Sequence, residues 1–289
     1  MIDLQLAQLI VNGLALGCII ALASVGLTLT YGILRLSNFA HGDLLTLGAY
    51  LALLGNAMGL NIWIAIALGI IGTTLVALIT EKLIWSPMRD RRADSTTLII
   101  ISIGLALFLR NAIIFVWGGG NQIYDLPVQP ALDIFGLKVK AYSLVVVALT
   151  AIATIALHFL LQKTKIGKAM RAVADDTDLA LVTGINVNQV VIWTWVIAAG
   201  LTALGGGMYG LLEAVRPNMG WFLILPMFAS VILGGIGNPY GAIAGSLIVG
   251  LAQEVSTYWL PTEYKLAVAL IMVIIVLLIR PQGLFKGTA

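Results

Sequence analysis

Apolar residues run along this chain in long unbroken stretches, not in alternation. Stretches at 6–30, 38–55, 62–80, 96–117, 142–161, 190–212, 222–236, 241–258 and 264–280 consist mainly of Leu, Ile, Val, Ala and Gly. A helix of about twenty residues crosses a hydrocarbon core roughly 30 Å thick, and lipid offers the backbone no hydrogen-bond partners. Continuous runs of this kind predict helices that span a membrane. The expected fold is all-α and polytopic, with about 8–10 transmembrane helices, some of them broken or short. Run 222–236 is one of the short ones. It carries Pro226 and ends in "GGIGNPYG", so it reads either as a broken span lining a solute route or as a tight hairpin between packed helices.

Composition narrows the function classes. The chain is 60% hydrophobic and 10% charged, with a mean hydropathy of +1.04, whereas soluble domains are about a quarter charged. A soluble scaffold is excluded. The formal charge of +3 does not point to nucleic acid, because the basic residues sit in short loops. The single cysteine, Cys18, leaves no intrachain disulfide. The N-terminal stretch has no basic leader region and reads as a retained first span.

The loop charges predict an orientation. Arg35, Lys82, Arg89, Arg91, Arg92, Lys163, Lys165, Lys168, Arg171, Arg280 and Lys286 fall on one side if the spans alternate. Basic loops stay on the cytoplasmic side, which places the C-terminus there and the N-terminus outside. Residues 1–289 read as one transmembrane domain with a cytoplasmic segment at 162–189 and an external loop at 118–141. Within that loop "ALDIFGLKVKAY" alternates around Gly136, the pattern of a small β-hairpin. Such a hairpin suits either a contact with an external protein or a loop ornament.

Catalytic chemistry is hard to place. "GGGMYG" (205–210) spells G-x-G-x-x-G but lies in an apolar helix, where small residues serve close helix packing. The G-x-x-x-G pairs Gly13–Gly17, Gly206–Gly210 and Gly241–Gly245 read the same way. No phosphate-binding loop, zinc motif or nucleophile elbow occurs, and two histidines are too few for a histidine-rich metal site. Charge inside the spans is scarce. Arg110 lies well within one, and Glu213 near the outer end of another is a candidate partner for it.

Segment 162–189, "QKTKIGKAMRAVADDTDLALVTGINVNQ", reads as a short amphipathic helix over about 167–182. Met170, Val173, Ala174 and Leu181 form its apolar stripe, and Gly184 falls where a left-handed cap would end it. Asn186 and Gln189 form an N-x-x-Q start for the next span. Lys168 and Arg171 precede Asp175, Asp176 and Asp178, an order opposed to the helix dipole, so the segment reads either as a helix held by a partner or as a surface helix lying at the lipid headgroups.

"GKAMRAVADDTDLALVTGIN", with "NFAHGD", "LGGIGNPYGAIAG", "TEYK" and a terminal "RPQGLF", resembles the LivH-type permeases of branched-chain and neutral amino-acid ABC importers. The motifs occur in family order from Gly13 to Phe285. The resemblance implies a subunit of the bacterial cytoplasmic membrane, paired with a LivM-type sister permease, two cytoplasmic ATPases and an external amino-acid-binding protein. This chain would then be no enzyme and bind no cofactor, while ATP and Mg2+ are used by the ATPases. Gly167, Lys168, Arg171, Ala172, Asp175, Asp176 and Gly184 match the helix that couples a permease to its ATPase, with 81–95 as a lesser contact. Related permeases carry urea or short amides, and that alternative stays open. An ion-coupled secondary transporter is the reading from a different class, disfavoured by the scarcity of membrane-embedded carboxylates.

Candidate path residues are the polar groups within or beside spans: Asn12, Ser24, Thr28, Asn38 and Ser230. "RLSNFAHGDLL" (35–45) adds His41 and Asp43, which suit either an inner gate or a packed boundary at the cytoplasmic end of the first helical hairpin. Ser37 or Asn38 is expected to cap the second helix.

Overall fold

A computed structural model describes residues 2–127, 130–134, 136–280 and 282–285. All nine apolar stretches are helical. They correspond to α1 (Ile2–Leu34), α2 (His41–Ala57), α3 (Ile62–Thr80), α5 (Ser95–Trp117), α6 (Ala141–Lys163), α9 (Val187–Leu212), α10 (Met219–Gly234), α11 (Pro239–Ser256) and α12 (Lys265–Ile279). Six helices among the described residues are long and apolar enough to cross a membrane. The protein is a polytopic all-α membrane protein, as the hydrophobic pattern predicts. Residues 81–95, expected as a loop, are mostly helical instead. A π-helical turn at Glu81–Trp85 carries α3 into the short α4 (Ser86–Asp90).

A small β-hairpin lies outside the long helices. Strands β1 (Leu132–Ile134) and β2 (Leu137–Val139) pair antiparallel around Gly136, whose φ of +83° suits only glycine without strain. This is the predicted hairpin; Phe135 lies outside the described residues. Gln8 fastens it to α1, donating to the Lys138 carbonyl at 3.0 Å and accepting from the Lys138 N–H at 3.0 Å. Lys286, grouped above with the basic loops, and Pro281 of "RPQGLF" also lie outside the described residues.

The amphipathic segment departs from expectation in an informative way. It is two helices, α7 (Lys165–Asp175) and α8 (Thr177–Val182), broken at Asp176. Asp176 has an extended backbone, and its carboxylate accepts from the Leu179 N–H at 2.9 Å. Asp176 and Asp178, two of the acids that opposed the dipole of one long helix, therefore stand at the favourable N-terminus of a second one, while Asp175 stays at the C-terminal end of α7. The break also shifts the helical phase. Met170 and Val173 are buried as predicted, but Leu181 is exposed and Ala180 is buried in its place. Gly184, at φ +85°, ends α8 with paired bonds from its own N–H to Leu181 and from Ile185 to Ala180. Asn186 caps α9 by accepting from the Gln189 N–H at 3.0 Å.

Helix α1 is the axis of the bundle, with α11, α9, α10 and α6 packed around it, while α2, α3 and α9 form an adjoining layer. Small residues set the spacing. A Cβ on Gly206 would sit 2.0 Å from the Leu45 carbonyl oxygen, and one on Gly250 would sit 2.5 Å from Gly17. "GGGMYG" is thus a packing surface for α2 and for Tyr124.

Candidate functional site

The segment between α1 and α2 decides the interior. Helix α1 ends at Leu34, and Arg35 turns the chain with φ +51°. Residues 35–40 then run back into the bundle without helical structure. Ser102 of α5 supports them, its hydroxyl accepting from the Phe39 N–H at 3.1 Å. Asn38 accepts from the Ala40 N–H at 3.1 Å, an Asx turn just before α2, while the helix's own first residues have no side-chain cap. Helix α2 begins at His41, deep within the bundle. His41 Nε2 bonds the carbonyl of Ala23 at 2.9 Å, and Ala23 lies about 16 Å back from the end of α1. The expected position at one end of the first hairpin therefore holds for Arg35 but not for His41 or Asp43.

At this depth the ionic groups meet. Asp43 accepts from Arg110 Nε and Nη2, both at 3.1 Å. Arg110 is about 22 Å along α5 from Ser95, so the pair lies far from that end of the helix. Its guanidinium also stacks 4.8 Å from the ring centroid of Trp221 on α10. Three helices are joined through one cation. The expected pairing of Arg110 with Glu213 is not formed. Asp43 is nearer because the re-entrant 35–40 segment carries it inward, which linear spacing along the chain cannot reveal.

Helix α10 is a second element that starts inside the bundle. A Cβ on Gly220 would lie 1.9 Å from the Gly42 carbonyl oxygen, and the Gly220 N–H donates to Thr46 Oγ1 at 3.0 Å. Two helix N-termini thus meet at the centre, with Asp43 in the first turn of one. An acid there complements the dipole. Next to it, His41 Nε2–H faces the Ala23 carbonyl and also lies 2.8 Å from Thr202 Oγ1, which itself donates to the Ala198 carbonyl at 2.7 Å. His41 is fully buried between α1 and α9, and its Nδ1 has no partner among the described residues.

The polar candidates separate into two groups. Ser24, Thr28, Asn38 and Ser230 are fully buried between helices. Ser24 donates to the Met227 carbonyl, Thr28 accepts from the Gly237 N–H at 2.9 Å, and Ser230 donates to the Pro226 carbonyl at 2.7 Å. Asn12 and Glu213 instead line an open cleft of about 480 Å³, bordered by α1, α6, α9, α10, α11 and α12. Pro226 is in the wall of this cleft and cannot donate to the Phe222 carbonyl one turn earlier.

At the end of the bundle marked by Arg35, the α7–α8 pair packs through Met170, Val173 and Ala180. Gly167 fits into the corner with α6, where a Cβ would meet the Leu160 carbonyl at 2.2 Å. Lys168, Arg171, Asp175, Asp176 and Gly184 are exposed, and Ala172 is half-buried. Beside them α8 exposes Leu179, Leu181 and Val182, the last at 80%. Sequence reasoning missed Glu81 at this end. It is buried, accepts from Trp195 Nε1 at 2.6 Å and is ion-paired with Arg89. Its position between an apolar run and a basic cluster was the available signal.

Long apolar helices around a buried ion pair, two of the helices starting inside the bundle, define a multi-pass membrane protein. The chain belongs to the branched-chain amino acid transport system permease component family, whose model matches residues 9–277. It is 32% identical to the high-affinity branched-chain amino acid transport system permease protein LivH of Salmonella typhimurium, over 97% of this chain and 96% of that protein. It is 29% identical to BraD of Pseudomonas aeruginosa, over 96% and 94% respectively. A probable LivH of Methanocaldococcus jannaschii is 30% identical over 92% and 88%.

Proposed function

We propose that this chain is the LivH-like permease subunit of an ATP-driven, binding-protein-dependent importer, moving branched-chain or other neutral amino acids inward. The observation that carries the proposal is α8. Its exposed Leu179, Leu181 and Val182 lie outside the long spans, beside the charges of Lys168, Arg171, Asp175 and Asp176. A solvated end gains nothing from apolar side chains unless a partner covers them. A cytoplasmic ATPase is the partner this reading assigns, and ATP and Mg2+ belong to it.

The packing supports the following mechanism. The basic end faces the cytoplasm. Closure of the ATPases moves α7–α8, and Gly167 transmits that displacement because the backbones of α6 and α7 are in contact there. Met170 and Val173 pass it on to the core packed beneath them. The subunit then rocks as a body against a LivM-type sister permease, with the solute path between the two. The opposite end, with the β-hairpin and the open cleft, meets the external binding protein. His41, Asp43 and Arg110 act as the rigid joint of that motion.

The related-permease similarity supports amino acids as the solute, with urea or a short amide as the second reading. Reconstitution with the two ATPases, the sister permease and the binding protein tests it. ATP-dependent uptake of leucine or alanine is expected. Uptake of urea alone would replace the substrate, and uptake without ATPases would replace the class.

A further inference from the structure

The open cleft among α1, α6, α9, α10, α11 and α12 has an unusual arrangement of charge. Lys140, at the start of α6, donates to the Leu212 carbonyl at 3.2 Å, so its ammonium lies beside the end of α9. The next residue is Glu213, and both line the cleft. Neither belongs to an ion pair among the described residues. The cleft's other lysine, Lys265, is already engaged with Glu254. One cation and one anion therefore remain available at one position, with Glu263 from the short turn before α12 as a further acid.

One wall of the cleft is apolar, formed by Leu16, Ile19, Phe222, Leu223 and Leu266, while Asn12, Ser143, Tyr209, Gln253 and Thr262 add uncharged polar groups to the lining. The Phe222 carbonyl, released by Pro226, adds an acceptor to that wall. At about 480 Å³ the cleft is within the usual range for small-molecule sites, roughly 300–1,000 Å³.

We infer that this cleft receives an α-amino acid as a zwitterion, its carboxylate on Lys140, its ammonium on Glu213 and its side chain along Leu16, Phe222 and Leu223. The inference rests on the importer reading above and specifies its solute. A neutral amide has no net charge at either end to engage this pair, and a charged amino-acid side chain would have to desolvate against the apolar wall. The site selects neutral, apolar side chains at the permease itself, in addition to any selection by the binding protein.

Equilibrium dialysis of radiolabelled L-leucine against the purified importer complex, with the binding protein left out, tests this directly. Leucine is expected to bind and to be displaced by valine. Isoamylamine, which lacks the carboxylate, 4-methylpentanoate, which lacks the ammonium, and urea should all displace it poorly. Lys140→Gln and Glu213→Gln should each weaken binding about tenfold or more, the scale of losing one charge-assisted hydrogen bond. The melting temperature of each variant complex and its copurification with the ATPases, measured alongside, separate loss of the site from misfolding. Undiminished leucine binding in both variants overturns the site, as does equal displacement by isoamylamine. If wild-type vesicles import leucine yet the complex binds none, the site falls and the importer reading stands. If wild-type vesicles import no amino acid, both fall.

Discussion

Asp43 and Arg110 are 67 positions apart in the chain, yet they form a two-pronged ion pair at 3.1 Å and 3.1 Å. Asp43 is 1% exposed and Arg110 is 14% exposed at the side chain. Removing one partner leaves the other charge buried, a loss of about 3–5 kcal/mol, whereas replacing both with apolar residues is close to neutral. Arg110→Leu and Asp43→Asn should each lower the melting temperature of the purified subunit complex. Arg110→Leu combined with Asp43→Leu should recover much of that loss. A double variant as unstable as the singles would contradict a pair that acts mainly through charge compensation.

The meeting of Gly42 with Gly220 predicts a steric effect. Gly220→Ala places a methyl against a backbone carbonyl that cannot yield, and overpacking of this kind costs about 1–3 kcal/mol. Gly104 is the matched control, since nothing lies within 4 Å of its Cβ position. Gly104→Ala should be neutral or slightly stabilising, because alanine favours a helix by about 1 kcal/mol over glycine. Thermal melting monitored by tryptophan fluorescence distinguishes the two.

His41 acts as a strut between α1 and α9. His41→Ala removes its bond to Ala23 and opens a void beside Gly26, and we expect a loss of about 2–3 kcal/mol. Transport per folded complex should change less than the yield of folded complex. Full yield with abolished uptake would move His41 from the frame to the gate.

On α8 the expectation is the reverse. Leu179→Asp with Val182→Asp alters exposed positions and should leave the stability within about 0.5 kcal/mol of wild type. Copurification of the ATPases should be lost. Gly184→Ala forces a Cβ into a left-handed backbone, costing about 1–2 kcal/mol, and should disturb α8 without reaching the core. Retained ATPase binding in the double aspartate variant would remove α8 from the docking surface.

Much of this was legible along the chain. Each long helix is a continuous apolar run, because a span must satisfy its own backbone and bury apolar side chains in lipid or protein. The hairpin at Gly136, the terminator at Gly184 and the cap at Asn186 were equally readable, since each depends on residues a few positions apart. Other features were not. The helical phase of 167–182 misled because one aspartate, Asp176, can end one helix and start another, and periodicity does not register a break of a single residue. Arg110 stood out as a buried charge, but its partner was misassigned to Glu213. Both acids fell near predicted span ends, and only one of them is carried inward.

The sequence by itself determined that this is a membrane protein of helices, where those helices lie and which loops are basic, because these follow from hydrophobic length and local turn chemistry. The tertiary structure alone decided that residues 35–40 turn back into the bundle and that α2 and α10 begin at its centre. It also decided that Asp43 meets Arg110 while Lys140 and Glu213 share an open cleft. Those relations depend on how glycine-lined helices approach within contact of one another's backbones, a many-body packing that no local pattern encodes.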